Sequence, residues 1–301
     1  MNEEISGIVT DFKRFAVHDG DGIRTTVFLK GCPLRCVWCH NPESLSMKPE
    51  LALYQDKCTL CGECATVCPM GAHSFADGKH SLDRSVCQTC GKCEQICPNR
   101  ALKLYGRRMS VAEVIKIVAE DRIFYESSGG GMTLSGGEPT LQPGFSLELL
   151  KAAKELGINT ALDTCGFAPR ETYAAMLPYT DTFLFDVKHS TDEGYLRCTG
   201  RPGKPIFENL RFLSDSGAGI EIRIPLVPGY NDDEATLRGI GGLLSEVRTT
   251  KVRLLPYHSY ARSKYAALGL ADTLPCADSP DKSKLEAAAA LLRKYKLNII
   301  F

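Results

Sequence analysis

The sequence lacks an excess of charge of either sign, and it lacks any long hydrophobic run. Its 36 lysines and arginines equal its 36 aspartates and glutamates, so no overall field attracts nucleic acid or an anionic membrane. No apolar stretch approaches the roughly 20 residues that span a bilayer. The N-terminus MNEEISGIVTDF has no basic start followed by an apolar run, so it does not resemble a signal peptide. We therefore expect a cytoplasmic protein with no nucleic-acid or membrane partner.

Cysteine is the residue that is present in excess. The chain has 14 cysteines, and eleven of them fall between Cys32 and Cys97. In a reducing compartment, such a concentration indicates metal ligation rather than disulfides. The other three, Cys165, Cys198 and Cys276, have no ligand spacing, and we expect them to pack as ordinary thiols.

The chain divides into three regions by pattern. Residues 1–49 contain one predicted strand, residues 50–105 hold eight cysteines with little periodic hydrophobicity, and residues 106–301 alternate β-rich runs with helical patterns. The predicted strands are Thr25–Leu29, Met132–Ser135, Thr160–Asp163, Phe183–Val187, Glu221–Leu226 and Val252–Pro256. Helices are predicted over Phe145–Leu156 and Leu285–Lys294, and a capping box is predicted at Ser110 and Glu113. We expect an α/β fold, a partial (β/α)6 barrel of residues 1–49 and 106–301, with a small domain inserted at residues 50–105, hereafter the cysteine-rich segment.

The first cysteine array is Cys32-x3-Cys36-x2-Cys39, directly after the first predicted strand. Three thiolates leave a tetrahedral zinc site incomplete, whereas they can hold three irons of a 4Fe–4S cluster and leave the fourth iron open to a ligand. A structural zinc site completed by His40 is the alternative.

This array, with an aromatic residue before its last cysteine, resembles the radical SAM superfamily. The wider agreement, from His18 to Thr25 and on through Cys39-His40-Asn41-Pro42, resembles the family of glycyl-radical-enzyme activating enzymes. In that family a three-cysteine cluster reductively cleaves S-adenosylmethionine (SAM) to methionine and a 5′-deoxyadenosyl radical. The radical then abstracts hydrogen from a backbone glycine of a partner enzyme. The resemblance therefore assigns catalysis to Cys32, Cys36 and Cys39.

The resemblance also implies SAM contacts at the ends of later strands, where parallel α/β sheets bind ligands. Ser135 to Pro139 resembles the GGE motif, in which a carboxylate suits the SAM ammonium and glycines let the backbone approach closely. A glycine-rich turn with a solvated glutamate is the alternative. The segment from Asp163 to Gly166 is similar to the family's Asp-Thr-x-Gly, although Cys165 stands where the family has asparagine. The implied SAM contacts are Trp38, Asn41, Gly136, Gly137, Glu138, Asp163, Arg223 and His258.

Two of these contacts, and one further lysine, have a physical argument of their own. Arg223 lies inside a predicted strand, where an unpaired charge is costly, and the family's anionic partner for it is the SAM carboxylate. His258 matches a family histidine near the ribose and sulfonium, although a lone histidine is often structural. Lys188 is assigned to the catalytic set as a carboxylate or glycyl-peptide contact, and a buried structural ion pair is the alternative.

The cysteine-rich segment carries two copies of the bacterial ferredoxin run, each with x2-x2-x3 spacing and a following proline. In that fold the fourth cysteine of each run ligates the other cluster. One 4Fe–4S cluster is therefore predicted at Cys58, Cys61, Cys64 and Cys97, and a second at Cys87, Cys90, Cys93 and Cys68. A pair of zinc knuckles is the alternative. The two clusters would carry electrons to the barrel or dock a donor or partner, and the sequence does not decide between these roles.

The sequence thus predicts a radical SAM activating enzyme with three 4Fe–4S clusters and SAM as cofactors, and with room for a monovalent cation near the SAM carboxylate. Its expected partners are a glycyl radical enzyme and an electron donor such as flavodoxin or ferredoxin. Because such clusters are oxygen-labile, we expect it to operate anaerobically. One alternative is a radical SAM enzyme that acts on its own small-molecule or peptide substrate. A plain electron carrier is the other, but it leaves Asp163, Arg223 and His258 without a purpose.

Overall fold

The computed structural model describes residues 5–274 and 278–301, and Cys276 lies outside these ranges. Within them the strands are β1 Ser6–Ala16, β2 Arg24–Leu29, β3 Glu50–Leu53, β4 His73–Ala76, β5 Lys79–Leu82, β6 Leu102–Tyr105, β7 Arg107–Ser110, β8 Gly131–Gly136, β9 Asn159–Thr164, β10 Thr182–Asp186, β11 Ile220–Leu226, β12 Lys251–Pro256 and β13 Ile299–Ile300. The α-helices are α1 Glu63–Thr66, α2 Lys92–Ile96, α3 Val111–Ala119, α4 Arg122–Ser128, α5 Pro143–Glu155, α6 Arg170–Met176, α7 Asp192–Thr199, α8 Lys204–Asp215, α9 Glu234–Ser245, α10 Arg262–Leu268 and α11 Lys282–Arg293. Short 3-10 helices lie at Pro42–Ser44, Gln55–Lys57, Pro139–Leu141, Leu177–Tyr179 and Ser259–Ala261.

One nine-stranded sheet organises the fold, in the order β13-β12-β11-β10-β9-β8-β2-β1-β7. The six central strands, β12 to β8 and then β2, are parallel neighbours, as the sequence predicts. The edge strands β13 and β7 do not pair with each other, so the sheet is open. The parallel central strands confirm the predicted α/β fold with a mostly parallel sheet. Strands β1, β7 and β13 are not among the strands predicted from the sequence.

The helices between the parallel strands pack on the sheet because both the strands and one face of each helix are apolar. Strand β8 is buried at every position before Gly136, and α5 packs Leu149, Leu150 and Ala153 into the same core. The predicted capping box at the start of α3 is present, with the Ser110 hydroxyl accepting from the Glu113 N–H and the Glu113 carboxylate accepting from the Ser110 N–H. None of the helices in the described ranges combines the length and hydrophobicity that crossing a bilayer requires.

The cysteine-rich segment is built from much smaller elements. Strand β3 pairs antiparallel with β6, and β4 pairs antiparallel with β5 through a turn at Asp77 and Gly78, both of which have positive φ. The helices α1 and α2 each begin after a left-handed glycine, Gly62 and Gly91. Arg84 ties the segment to the barrel, since it donates to the Ala267 carbonyl on α10 at 2.6 Å. Buried apolar side chains form a cluster consisting of Leu51, Leu53, Cys64, Cys93 and Leu102.

Candidate active site and cysteine clusters

A cavity of about 210 Å³ lies where the carboxyl ends of the parallel strands meet. Ten of the twelve residues assigned to catalysis or SAM binding line it, namely Cys32, Cys36, Trp38, Cys39, Asn41, Gly136, Gly137, Asp163, Lys188 and Arg223. Glu138 and His258 are not in its wall. The cavity therefore brings together residues from the first strand of the barrel to β11, as a ligand site of this sheet type requires.

The loop that carries the three cysteines is held from outside by backbone hydrogen bonds. The Arg35 N–H donates to the Thr199 carbonyl at 2.8 Å, and the Val37 N–H donates to the Cys198 carbonyl at 3.0 Å. The Tyr265 hydroxyl on α10 donates to the Cys39 carbonyl at 3.2 Å. Burial raises the pKa of the Cys39 thiol to about 12 and also raises that of Cys32 and Cys36. Three neutral, enclosed thiols at one cavity are a donor set that a bound cation would convert to thiolates.

Arg223 lines the cavity and lies among carboxylates. Its guanidinium lies 3.6 Å from the Asp163 carboxylate and 3.9 Å from that of Asp19, and it donates to the His18 carbonyl at 2.6 Å. The anionic partners that a mid-strand arginine requires are therefore supplied in part by the protein itself. Asp163 also accepts a hydrogen bond from the Ser135 hydroxyl at 2.6 Å. Burial raises the pKa of Asp163 to about 6, although the Arg223 charge opposes this shift.

Lys188 forms an ion pair with Asp186, and both side chains line the cavity. Burial lowers the pKa of Lys188, but the Asp186 carboxylate outweighs this effect and holds the pKa well above its ordinary value. The buried ion pair that the sequence left as an alternative is thus present. Its position in the cavity wall also keeps the ammonium available to an anionic or peptide ligand.

Glu138 is buried beside the cavity and does not line it, and its predicted contact with the SAM ammonium stays a prediction. Its side chain is 1% exposed, and its carboxylate accepts hydrogen bonds from the Thr140 N–H, the hydroxyls of Thr140 and Thr164, and the Cys165 N–H at 2.7–3.1 Å. With these donors the carboxylate fixes the turns after β8 and β9 and does not face the cavity. The cavity wall at this motif is instead the backbone of Gly136 and Gly137, where φ is +115° at Gly136 and an added Cβ at either position would meet backbone atoms.

His258 lies one layer behind the cavity. Its ring stacks on His40 with centroids 4.1 Å apart and planes 3° apart, and the His40 Nε2 lies 2.9 Å from the His258 carbonyl. The ring that reaches the cavity is therefore His40, and burial lowers its pKa to about 4, so it is neutral at pH 7. The predicted contact of His258 with SAM stays a prediction, and in this geometry it acts by packing against His40.

The eight cysteines of the cysteine-rich segment fall into two groups of four. The first group, Cys58, Cys61, Cys64 and Cys97, lines one small cavity, hereafter site A. The second group, Cys68, Cys87, Cys90 and Cys93, lines another, hereafter site B. Each site contains three cysteines of one run and the last cysteine of the other, which is the exchange that the two-cluster ferredoxin pattern predicts.

Comparison with known proteins agrees with this geometry. The model of the radical SAM superfamily matches residues 26–238. A choline trimethylamine-lyase activating enzyme from Oleidesulfovibrio alaskensis is 38% identical over 305 residues, covering 97% of this chain and 96% of that protein. A trans-4-hydroxy-L-proline dehydratase activating enzyme from Clostridioides difficile is 40% identical over 294 residues, covering 97% of each. The chain belongs to the activating enzymes of the radical SAM superfamily.

A solved structure shows how far the fold of this activating enzyme is shared. A radical SAM methyltransferase from Sphaerobacter thermophilus is similar with a TM-score of 0.57 and 13% identity, covering 97% of this chain and 76% of that chain. At this identity the likeness concerns the fold alone. The cavity and its three cysteines therefore carry the functional argument, together with the relatives that share most of the sequence.

The residues of this activating enzyme fit iron–sulfur clusters at all three places. The barrel offers three thiols and an open cavity, which suits a cluster with one iron left for SAM. Sites A and B each offer four thiols, and backbone N–H groups already point at their sulfurs, with Ala72 donating to Cys68 and Ala101 donating to Cys97 at 3.3 Å. Such N–H···S bonds are the usual surroundings of cluster thiolates.

Three residues of the cavity wall were not assigned as site residues from the sequence, although Ser135 and Asp186 belong to its motifs. Ser135, Asp186 and Cys165 line the cavity, although Cys165 was expected to be an ordinary packed thiol. Their signal was available, since each lies at or just beyond the end of a parallel strand. Cys198 meets the expectation, because it is fully buried in one apolar cluster with Trp38.

Proposed function

We propose that this protein activates a glycyl radical enzyme. It cleaves SAM reductively and uses the 5′-deoxyadenosyl radical to abstract hydrogen from a backbone glycine of that partner. The observation that carries the proposal is the meeting of three enclosed thiols with Asp163, Lys188 and Arg223 in one cavity at the carboxyl edge of the sheet. Relatives at 38% and 40% identity, each covered almost completely, are activating enzymes.

The charges of the cavity match the amino-acid end of SAM. That end carries an ammonium and a carboxylate, and the wall offers the Asp163 carboxylate beside the Arg223 guanidinium. Gly136 and Gly137 line the cavity, and their backbone can approach the same end of the ligand. A monovalent cation near the SAM carboxylate belongs to the same proposal.

Cys32, Cys36 and Cys39 would hold a 4Fe–4S cluster, which supplies the electron that breaks the sulfonium bond of SAM. The protein holds the thiols in place through the anchored loop, orients SAM by paired charges, and closes the cavity floor with Arg223. Holding the reacting groups in this way lowers the entropy cost of bringing SAM and the cluster together. Lys188 would contact the incoming glycyl peptide or a carboxylate.

The proposal includes two further 4Fe–4S clusters, at sites A and B, within an inserted ferredoxin-like domain of residues 50–105. The exchange of the last cysteine between the runs supports it. These clusters would receive electrons from a flavodoxin or ferredoxin in the cytoplasm, whose reducing conditions preserve thiols for metal. The loaded protein should contain about twelve irons per chain.

The test uses the reconstituted protein under anaerobic conditions, with a reductant, SAM, and a candidate glycyl radical enzyme of the same organism. We expect a doublet glycyl-radical signal on that partner and formation of 5′-deoxyadenosine. The matched control is the partner with Gly→Ala at its radical position, which should lose the signal while slow uncoupled SAM cleavage continues. Consumption of a small metabolite in step with SAM, with no partner radical, would favour the alternative radical SAM enzyme.

A further inference from the structure

Sites A and B are related by an internal repeat with one constant offset along the chain. The backbone follows this offset, since Leu60 and Thr89 both have positive φ and so do Gly62 and Gly91. The Ala72 N–H bond to the Cys68 sulfur recurs as the Ala101 N–H bond to the Cys97 sulfur, both at 3.3 Å. The two halves are therefore equivalent in fold as well as in spacing. At the same offset Cys58, Cys61, Cys64 and Cys68 recur as Cys87, Cys90, Cys93 and Cys97.

The equivalence fails at two buried positions. At each of them a histidine of the β4–β5 pair corresponds to a leucine of the β3–β6 pair. His80 lines site A, and its counterpart in the repeat, Leu51, lines site B. His73 lines site B, and its counterpart in the repeat, Leu102, lines site A. The strand pair β4–β5 thus carries two imidazoles where the equivalent strand pair β3–β6 carries two leucines. Both imidazoles are buried, at 7% exposure for His73 and 2% for His80.

The two histidines contact each other and one of the ligand sets. The Nδ1 of His73 lies 2.9 Å from the Nε2 of His80, and the Nδ1 of His80 lies 3.4 Å from the Cys58 sulfur. The antiparallel hairpin of β4 and β5 sets this arrangement, because Phe75 opposes His80 in its register. The Phe75 ring also stacks on His80 with centroids 4.5 Å apart, which holds the imidazole in its plane.

The direction of these hydrogen bonds follows from the chemistry of the ligands. A cysteine that holds iron is a thiolate, which accepts hydrogen bonds and donates none. Two ligand sulfurs lie near His80, with Cys58 3.4 Å from its Nδ1 and Cys64 3.7 Å from its Nε2. The shorter contact assigns the proton to Nδ1, and Nε2 then accepts from the Nδ1–H of His73 at 2.9 Å. The chain of donors then runs from the wall of site B to a thiolate of site A.

We propose that the His73–His80 pair makes the two clusters unequal by raising the reduction potential of the cluster at site A above that of the cluster at site B. The inference rests on the proposed function, since it presupposes clusters at both sites. An N–H···S bond withdraws electron density from the sulfur, and this stabilises the reduced, more negative state of a cluster. His80 is a positioning residue that acts on Cys58, and His73 acts through His80 by fixing its tautomer. Site B has a leucine in the place of the donor.

The connection of site B to the barrel gives a functional reason for a lower reduction potential at that site. Arg84 donates to the Leu51 carbonyl in the wall of site B and to the Ala267 carbonyl on α10, at 2.7 and 2.6 Å. From the same helix the Tyr265 hydroxyl donates to the Cys39 carbonyl in the barrel loop. Site B therefore lies on the hydrogen-bonded route to the catalytic cysteines. The cluster of lower potential, the stronger reductant, would then be the one linked through α10 to the loop of the catalytic cysteines.

The test is a redox titration of the loaded full-length protein, followed by electron paramagnetic resonance at a fixed pH. The Cys32/Cys36/Cys39→Ala variant identifies the signals that belong to sites A and B. His80→Leu gives position 80 the same side chain as its counterpart Leu51. It should lower one of the two reduction potentials and so bring the two values closer together. His73→Leu should shift the same cluster in the same direction by a smaller amount. Ser81→Ala, exposed on the same strand as His80, is the matched control and should shift neither.

Two further measurements keep the outcomes distinct. His80→Asn places an amide N–H near the Nδ1 position and should restore most of the wild-type potential, and it decides the question if His80→Leu fails to retain its cluster. Equal potentials in the wild type, or unchanged potentials in His80→Leu, overturn the proposal. So does one zinc per chain that is lost with His73 or His80, because donor atoms of Cys64, His73 and His80 lie within 4.8 Å of one another. Iron and sulfide analysis comes first, and only about four irons per chain would mean that the clusters at sites A and B are themselves absent.

Discussion

The barrel and the cysteine-rich segment hold their cysteines in opposite ways. In the barrel, the three-cysteine loop is pinned by Thr199, Cys198 and Tyr265, and the surrounding core is extensive without any cysteine ligand. In the cysteine-rich segment, Cys64 and Cys93 belong to the apolar cluster itself, beside only three leucines. A core this small rarely supports a fold without metal or disulfides. We therefore expect the barrel to be folded before it receives a cluster, and the segment to need bound metal for its stability.

Replacing the ligands of each region in turn gives the largest expected effect. The Cys32/Cys36/Cys39→Ala variant should reduce 5′-deoxyadenosine formation to background, because no cluster remains beside the SAM site. Its iron content should fall from about twelve to about eight per chain. Its barrel should remain folded, since the core does not include these thiols. Product formation is measured by chromatography, and continued formation would show that the catalytic assignment is wrong.

The Cys58/Cys61/Cys64→Ala variant is the counterpart within the segment. It should retain SAM binding and slow the turnover, and limited proteolysis should cut within residues 50–105 while leaving the barrel intact. The reason is the small cluster of apolar residues, from which Cys64 has also been removed. A protease-resistant segment without its clusters would contradict the comparison.

Glu138 tests whether a motif residue serves the ligand or the scaffold. Glu138→Ala removes the acceptor of the Cys165 N–H and of the Thr140 N–H, and each buried unsatisfied group costs about 1–3 kcal/mol. We expect a lower thermal midpoint and a secondary loss of activity. Glu138→Gln keeps one acceptor oxygen and should lose less. If Glu138→Ala leaves the midpoint unchanged and weakens only SAM binding, the carboxylate contacts the ligand after all.

The smallest effect concerns the pH dependence contributed by Asp163. Its pKa in the folded protein is raised to about 6 from an ordinary 3.8, so the folded state binds the proton more tightly than the unfolded state. The acidic form is therefore favoured by folding, and the stability contributed by this group rises as the pH falls through 6 toward 4. Between pH 7 and pH 5 the gain over Asp163→Asn should be about 1 kcal/mol. Thermal midpoints of the two proteins at fixed scan rate measure it, and an opposite slope would assign Asp163 a lowered pKa.

Much of this molecule could be predicted because its signals are local. The six parallel strands follow from short β-rich runs, and the α3 capping box follows from Ser110 and Glu113. Most of the cavity wall follows from motifs at the ends of strands. The spacing of the two ferredoxin runs predicts even the exchange of Cys68 and Cys97 between sites, which the structure reproduces as two groups of four.

The sequence could not predict where a side chain points or how strands that are distant along the chain pair. The GGE motif locates Glu138 along the chain, but only the nearby Thr140, Thr164 and Cys165 donors show that its carboxylate turns inward. Strand β1 escaped prediction because its burial alternates irregularly and its partners, β2 and β7, are separated by the cysteine-rich segment. The stacking of His258 on His40 joins a loop near the start of the chain to one near its end, which no local pattern records.

The pairing of β3 with β6 has a consequence for how the cysteine-rich segment can be gained or lost in evolution. Glu50 and Tyr105 are register partners, so the chain leaves the barrel and returns to it at neighbouring points. Everything between them can be exchanged for a short turn without moving β2 or β7, because neither strand depends on the length of what intervenes. A single recombination event between two genes would then add or remove both four-cysteine sites in one step.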